Sequence, residues 1–126
     1  MILCDTNILI EFYKGNSSVI GELQKAGLDN LAVSVITAGE LYYGARDKQE
    51  LMKMRKHLAL MKQISLDIDV SNRFLALLEE FALSHRLSVP DALIAATALS
   101  QNFHLYTLDV KDFRFIPGLE LYKPQT

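Results

Sequence analysis

The feature that most constrains this chain is the alternation of short apolar runs with longer segments of helical periodicity. The apolar runs lie at residues 1–4, 31–36, 103–107 and 119–122. The helical patterns cover residues 8–13, 19–25, 38–46, 49–62, 71–85 and 90–101. Short continuous apolar runs are typical of strands that are covered on both faces. The alternation therefore predicts an α/β sandwich with helices on both faces of a mainly parallel sheet of four to five strands.

One segment leaves two interpretations open. Residues 64–70 alternate between apolar and polar side chains. They form either one more short strand or an extended connector that leads into a helix capped by Ser71.

Length and composition favour one domain over residues 1–126. Half of the 126 residues are apolar, enough to bury a core without metals or disulfides. We find no internal repeat, low-complexity tract or linker. The single cysteine, Cys4, cannot close an intramolecular disulfide, and the apolar start is followed at once by Asp5 with no basic leader. We therefore expect a cytoplasmic protein with no membrane partner.

The net charge argues mildly against a nucleic-acid partner. A formal charge of −2 gives no overall attraction to phosphates, which proteins normally contact with Lys and Arg. The objection weakens if several acids are gathered around a divalent cation, because the remaining surface is then close to neutral or locally basic. The positions of the acids thus become the deciding question.

Acidic residues follow the ends of several predicted strands. Asp5 directly follows the first strand, and Glu40 lies in the first turn of the predicted helix after the second. Asp91 opens the helix that begins at Pro90, and Asp109 follows the strand that ends at Thr107. In open α/β sheets, sites form outside the carboxyl ends of the strands. The pattern predicts that these carboxylates meet at one edge of the sheet.

Each acid also has a simpler interpretation. Asp and Glu are favoured in the first turn of any helix, and Thr37-x-x-Glu40 and Ser88-x-x-Asp91 both resemble capping-box spacing. Asp5 and Asp109 could be turn residues. Capping does not explain why the acids recur at the same sheet edge, where clustered carboxylates repel unless a cation compensates them.

The ligand types favour Mg²⁺ or Mn²⁺. Carboxylates are hard oxygen ligands, and His57, His85 and His104 are scattered with no zinc-type spacing. A divalent ion held in this way can lower the pKa of water and clamp a phosphodiester during in-line displacement. The sequence therefore indicates hydrolysis of a nucleic-acid backbone.

Several segments together resemble the PIN domain and, within it, the VapC toxins of prokaryotic toxin–antitoxin pairs. The resemblance covers nearly the whole chain. It is carried by Ile2-Leu-Cys-Asp-Thr-Asn-Ile-Leu9, Val33-Ser-Val-Ile-Thr-Ala-Gly-Glu-Leu-Tyr-Tyr-Gly-Ala45, Pro90-Asp-Ala-Leu-Ile-Ala-Ala96, Leu105-Tyr-Thr-Leu-Asp-Val-Lys-Asp-Phe113 and Ile116-Pro-Gly-Leu119. It implies a PIN-like three-layer α/β/α fold and a Mg²⁺- or Mn²⁺-dependent endoribonuclease.

The resemblance also implies roles for individual residues. The metal-site and catalytic quartet would be Asp5, Glu40, Asp91 and Asp109, with Asp5 and Asp91 the most direct ligands. The substrate-binding residues would be Thr6, Asn7, Thr107 and Asp112. Thr107 would orient a carboxylate or a phosphate oxygen, whereas Thr6 and Asn7 would fix the turn and hydrogen-bond the acids.

The expected partners follow from the same resemblance. They are RNA, a second copy of the chain in a homodimer, and a cognate VapB-type antitoxin whose C-terminal segment covers the site. The densest basic stretch, residues 46–62, is either the solvated face of an amphipathic helix or a phosphate-contacting strip. Tyr42 and Tyr43 could stack on a base, but packing is the simpler expectation.

Rival functions fit less well. A Cys–His hydrolase would need Cys4 near an imidazole, yet Cys4 lies within a buried apolar run. A receiver domain needs a final helix, for which the two residues after Lys123-Pro124 are too few, and a haloacid-dehalogenase site needs an Asp where Asn7 stands. The remaining alternative is a PIN fold that binds RNA or protein without cutting.

Overall fold

A four-stranded parallel sheet lies at the centre of the computed structural model, which describes residues 1–125. The strands are β1 (Ile2–Cys4), β2 (Leu31–Ser34), β3 (Lys62–Ile64) and β4 (His104–Tyr106). Their order is β3-β2-β1-β4, and every pairing is parallel. The predicted α/β class, the parallel sheet and the strand number are confirmed.

Helices cover both faces of the sheet. They are α1 (Thr6–Tyr13), α2 (Ser17–Ala26), α3 (Val35–Tyr43), α4 (Lys48–Leu58), α5 (Ile68–Phe81) and α6 (Val89–Gln101). Successive strand side chains point to opposite faces, so Leu3 packs in a core with α5 and α6, whereas Cys4 packs in a second core with α1, α2 and α4. These two cores are the interfaces of the predicted three-layer sandwich. None of the helices in residues 1–125 has the length and apolar character needed to cross a membrane.

Several predicted elements differ from the structure. The helical pattern predicted over residues 49–62 is too long, because α4 ends at Leu58 and Lys62 begins β3. Residues 64–70 are neither one strand nor one connector. Strand β3 ends at Ile64, and helix α5 already begins at Ile68. Its cap is Asp67, whose Oδ1 accepts a hydrogen bond from the Val70 N–H at 2.8 Å, so the prediction that Ser71 caps this helix is wrong. The predicted strand at 119–122 is reduced to one isolated parallel bridge, between Leu121 and Leu105.

Helix α3 begins earlier than the apolar pattern predicted. Ser34 ends β2 and caps α3, because its Oγ accepts a hydrogen bond from the Thr37 N–H at 3.1 Å. The helix therefore begins at Val35, three residues before Ala38. The predicted capping role of Thr37 is therefore wrong, because Thr37 lies inside the helix. Glu40 consequently lies in the second turn of α3 rather than in the first.

The strand order creates a crevice at the carboxyl end of β1. The chain adds β2 and β3 on one side of β1 and then returns to place β4 on the other side. Helix α1, which follows β1, and helix α6, which precedes β4, pack on opposite faces of the sheet, and such a switch point is where open α/β sheets form their sites.

Candidate functional site

Asp5 lies at this switch point and is held by three hydrogen bonds. Its N–H donates to the Tyr106 carbonyl at 2.9 Å, which extends the pairing of β1 with β4. Its Oδ1 accepts from the Thr6 N–H at 2.8 Å and so caps α1, and its Oδ2 accepts from the Thr107 Oγ1 at 2.7 Å. Only 5% of Asp5 is exposed. The simpler interpretation of Asp5 was a turn residue, and the structure shows instead that its carboxylate caps α1 while lying among the other acids.

Asn7 and Thr107 fix the loop that follows β4. The Asn7 Nδ2 donates to the Asp109 Oδ2 at 3.0 Å, and the Asn7 Oδ1 accepts from the Leu108 N–H at 3.3 Å. The Thr107 Oγ1 accepts from the Asp109 N–H at 3.0 Å. Asp109 is therefore held by Asn7 in α1 and, through its N–H, by Thr107, the same residue that donates to Asp5.

Glu40 joins the site through Thr6. The Thr6 Oγ1 donates to the Glu40 Oε1 at 2.6 Å, so the first turn of α1 contacts the second turn of α3. Glu40 is exposed to solvent, whereas Thr37 beside it is fully buried. A carboxylate in this position can contact water or substrate at the rim of the crevice.

Asp91 and Asp112 approach from the opposite side. Asp91 lies in the first turn of α6, where the Ser88 Oγ accepts from the Asp91 N–H at 3.2 Å and caps the helix as its spacing indicated. Asp112 ends a short 3₁₀ turn, Val110–Asp112, and is exposed. Asp91 is half-buried, and four separate elements now contribute carboxylates to one sheet edge.

The acidic side chains are close enough to raise one another's pKa values. Burial, followed by the charges of Asp5, Asp112 and Asp109, raises the pKa of Asp91 to about 6, although a hydrogen bond with Ser88 opposes the shift. Burial also raises the pKa of Asp5, and the Thr107 and Thr6 hydrogen bonds oppose this shift. Within residues 1–125, none of these acids forms a salt bridge with a cationic side chain. Their negative charge is left uncompensated by the protein.

The donor set suits a small hard cation that keeps water ligands. In the described part of the chain, no three acidic or imidazole side chains converge tightly enough to enclose an ion. Mg²⁺ does not need such a cage, because it commonly binds through one or two carboxylates and retains several waters. Asp5 and Asp91, whose pKa values are raised by burial and by like charges, have the oxygen chemistry and the excess charge for this role.

A groove of about 690 Å³ begins beside Glu40 and runs between α1, α3 and α4. Its walls are mainly apolar, with Ile10, Leu41 and Met54 among the lining residues. Lys14, Arg46 and Lys53 also line the groove. The basic stretch at residues 46–62 therefore provides part of a surface next to the acids, while Arg55 and Lys56 are exposed in α4.

Two residues near the site had not been identified as functional from the sequence. Ser34 and Thr37 are buried hydroxyl residues that link β2 to Thr6. The available signal was their place at the carboxyl end of β2, where a parallel sheet forms its sites. The spacing of Thr37 and Glu40 in the sequence instead favoured helix capping.

Two other expectations can be compared with the structure. Cys4 is fully buried, and burial raises the pKa of its thiol to about 12, so the nucleophilic thiolate of a Cys–His hydrolase is strongly disfavoured. Tyr42 is half-buried, but Tyr43 is 95% exposed, so the expectation of packing is wrong for Tyr43.

The sequence matches the PIN-domain family model over residues 2–118. The chain belongs to the PIN-domain family. It is 32% identical to Ribonuclease VapC10 from Mycobacterium tuberculosis over 126 residues, which cover 98% of this chain and 92% of that protein.

Solved structures share the fold over nearly the whole length. A toxin–antitoxin complex from Klebsiella pneumoniae contains a chain with a TM-score of 0.83 and 34% identity, covering 98% of both chains. VapBC2 from Rickettsia felis, bound to a DNA fragment from its promoter, gives a TM-score of 0.83 and 28% identity, covering 97% of this chain and 98% of that one. The likeness to VapC-type toxins that the motifs indicated is confirmed.

Proposed function

We propose that this chain is the toxin of a type II toxin–antitoxin pair and acts as a Mg²⁺- or Mn²⁺-dependent endoribonuclease. The observation that carries the proposal is the meeting of Asp5, Glu40, Asp91 and Asp109 at the switch point of the sheet without a cationic partner in residues 1–125. Family membership and the identity to a VapC ribonuclease support the same activity.

The residues divide into ligands and positioning groups. Asp5 and Asp91 hold the cation, and Glu40 and Asp109 complete its surroundings or orient the attacking water. When bound, a divalent cation supplies Lewis-acid chemistry, because it neutralises phosphate charge and makes a coordinated water more acidic. Thr107 and the Thr6 N–H hold Asp5 in place, which is the precision that a preorganised site requires.

RNA contacts follow from the same geometry. Thr6, Asn7, Thr107 and Asp112 border the substrate phosphate. Their hydrogen bonds are directed mainly at the acids, so Thr6, Asn7 and Thr107 also order the carboxylates. Lys53, which lines the groove, supplies positive charge for the rest of the strand, whereas Arg46 is paired with Glu50 at 2.9 Å and Lys14 with Glu11 at 3.7 Å.

The antitoxin partner is a VapB-type protein whose C-terminal segment covers the site. The groove beside Glu40 supports this proposal, because an apolar groove with basic residues suits an amphipathic segment with acidic flanks. The similar structures from Klebsiella pneumoniae and Rickettsia felis are toxin–antitoxin assemblies.

Homodimerisation is supported by exposed apolar side chains on neighbouring helices. Val35, Ile68, Leu75 and Val89 lie on α3, α5 and α6 and are between 42% and 81% exposed. Such residues favour burial against a second copy. We place one domain over residues 1–126 of each protomer, in the cytoplasm. Analytical ultracentrifugation of the antitoxin-free chain tests the dimer.

Cleavage of labelled structured RNAs tests the activity. The purified antitoxin-free chain is incubated with Mg²⁺, Mn²⁺ or EDTA, beside the Asp5→Asn variant, and the product ends are identified. We expect cuts that leave 5′-phosphate and 3′-hydroxyl ends and that disappear with EDTA and in the variant. Circular dichroism of Asp5→Asn serves as the folding control, because Asp5 also caps α1.

Two outcomes would contradict the proposal in different ways. Metal-independent cutting with cyclic-phosphate ends would refute the metal–water mechanism. Metal binding without cutting across a broad RNA panel would instead favour a PIN fold that binds RNA or protein without cleaving it.

A further inference from the structure

A row of hydroxyl groups connects the buried end of β2 to Glu40. Ser34 ends β2, Thr37 lies in the first turn of α3, and Thr6 lies in the first turn of α1. The Oγ atoms of Ser34 and Thr37 are 3.3 Å apart, and those of Thr37 and Thr6 are 3.1 Å apart. Thr6 then reaches the Glu40 Oε1 at 2.6 Å. We call these three side chains the hydroxyl row.

The hydrogen-bond capacity of each group fixes the direction of the row. An ionised carboxylate only accepts hydrogen bonds, and each hydroxyl has one hydrogen to donate. The short contact to Glu40 takes the single hydrogen of Thr6, so Thr37 must donate to Thr6. Ser34 must then donate to Thr37, while the Ser34 Oγ accepts from the Thr37 N–H at 3.1 Å. All three hydroxyls donate towards the carboxylate.

Burial makes this direction rigid. Ser34 is 1% exposed and Thr37 is fully buried, so neither hydroxyl can turn towards bulk water. Hydrogen bonds in series polarise one another, and the bond that ends on a charge is the strongest. The row therefore presents Glu40 with a donor of defined orientation, although Glu40 itself is exposed.

A purely structural role does not require this arrangement. Capping of α3 needs only the Ser34 Oγ and the Thr37 N–H. Thr97 shows the ordinary arrangement of a buried helical threonine, because its Oγ1 donates to the Leu93 carbonyl of its own helix at 2.8 Å. Thr37 instead contacts the hydroxyl of a different helix.

We infer that Ser34 and Thr37 are positioning residues that act through Thr6 to hold the Glu40 carboxylate at the rim of the acidic crevice. The inference rests on the proposed function in one respect: the role of Glu40 in orienting water or completing the metal surroundings. The direction of the hydroxyl row itself follows from the hydrogen bonds alone.

Three matched variants test the inference. Thr37→Val removes the hydroxyl at nearly constant volume, Thr37→Ser keeps it, and Thr97→Val makes the same change at a buried threonine that does not touch the row. For Thr37→Val we expect a roughly tenfold lower kcat, the effect of losing one positioning hydrogen bond of about 1.4 kcal/mol, with the KM for RNA unchanged. Thr37→Ser and Thr97→Val should cleave at close to the wild-type rate.

A spectroscopic readout that does not depend on cleavage accompanies the kinetics. The ¹³C resonance of the Glu40 carboxyl group should shift and broaden in Thr37→Val, return in Thr37→Ser and stay unchanged in Thr97→Val. If Thr37→Val does not fold, the wild-type chain still provides a test, because the hydroxyl protons of Thr6 and Thr37 should exchange slowly with water and show a nuclear Overhauser contact.

The outcomes separate this inference from the proposed function. Wild-type kinetics together with an unchanged Glu40 resonance in a folded Thr37→Val variant would overturn the hydroxyl row, as would hydroxyl protons in fast exchange in the wild-type chain. If the wild-type chain cleaves no RNA, the proposed function fails, and the Glu40 resonance decides the role of the row by itself.

Discussion

The Thr107 hydroxyl donates a 2.7 Å hydrogen bond to the Asp5 carboxylate, across two strands whose residues are 102 positions apart in sequence. This bond joins the residue that follows β1 to the residue that follows β4. It also opposes the burial that raises the pKa of Asp5. The Thr107 side chain thus links the ends of two strands and also favours the ionised form of Asp5.

Removal of that hydroxyl should affect stability and activity together. We expect Thr107→Val to lower the free energy of unfolding by about 1.5–3 kcal/mol, the usual cost of losing a hydrogen bond to a charged group. Cleavage should fall as well, because Asp5 and the Asp109 N–H both lose a partner. Urea denaturation and RNA cleavage measure the two effects. Thr107→Ser, which keeps the hydroxyl, is the control, and an equally impaired serine variant would contradict this account.

Removal of the Asp91 charge, which we propose to bind the cation, should stabilise the metal-free protein while abolishing the proposed activity. The pKa of Asp91 is raised to about 6 in the folded chain, so the ionised carboxylate destabilises the folded state at pH 7. Asp91→Asn should therefore increase the free energy of unfolding by about 1 kcal/mol, a value reduced from the full shift because the half-exposed group is screened by solvent. Denaturation in EDTA measures it.

The size of this stabilisation depends on pH, whereas its sign does not. A raised pKa means that the folded state binds the proton more tightly, so the wild-type chain gains stability as the pH falls through about 6. The advantage of Asp91→Asn should shrink over the same range. A constant difference between pH 7 and pH 5 would show that Asp91 does not carry the unfavourable charge.

Metal binding should weaken in acid for the same reason. A cation competes with the proton for Asp91, so the Mn²⁺ affinity should fall by about tenfold per pH unit once the pH is below about 6. Isothermal titration between pH 7.5 and pH 5 measures the slope. If the Mn²⁺ affinity did not change with pH over this range, Asp5 and Asp91, whose pKa values are raised, would be excluded as ligands.

The sequence did not predict β3, whose Lys62 and Gln63 are exposed, because the helical pattern assigned to residues 49–62 already includes Lys62. It predicted β1, β2 and β4 because these strands are largely buried. Leu3, Val33 and Leu105 lie in continuous apolar runs, and a strand covered on both faces has no other pattern. The segment at 119–122 has the same composition but lies beside β4 for only one bridge, because pairing at a sheet edge depends on tertiary contacts. Helix α3 started early because a polar residue, Ser34, ended a buried strand and capped the helix at once.

The acidic site could be predicted only as a set of residue types. Asp5 and Thr107 both lie at the ends of predicted strands. The pairing of β1 with β4 brings these two residues into contact. The link from Glu40 through Thr6 to Thr37 and Ser34 was not predicted. The spacing of Thr37 three residues before Glu40 also matches helix capping. Only the placement of α1 against α3 shows that Thr6 stands between them.

A variant away from the site separates stability from activity. Glu22 is 4% exposed and accepts hydrogen bonds from the Tyr122 hydroxyl at 2.6 Å and from the Gln125 N–H at 2.9 Å. Glu22→Ala should lower the free energy of unfolding by about 1–3 kcal/mol, because both buried bonds are lost. Its cleavage rate per folded molecule should match the wild-type rate. A selective loss of activity would mean that the C-terminal segment also contributes to the site.

The most direct test of the central claim is anomalous diffraction from crystals of the antitoxin-free chain soaked in Mn²⁺. The account predicts a single-site or two-site peak between β1 and α6, with oxygen atoms of Asp5 and Asp91 at about 2.0–2.6 Å, the distances that hard cations take to oxygen ligands. Saturating Mn²⁺ with no peak at these carboxylates, in a protein that still cleaves RNA, would contradict it.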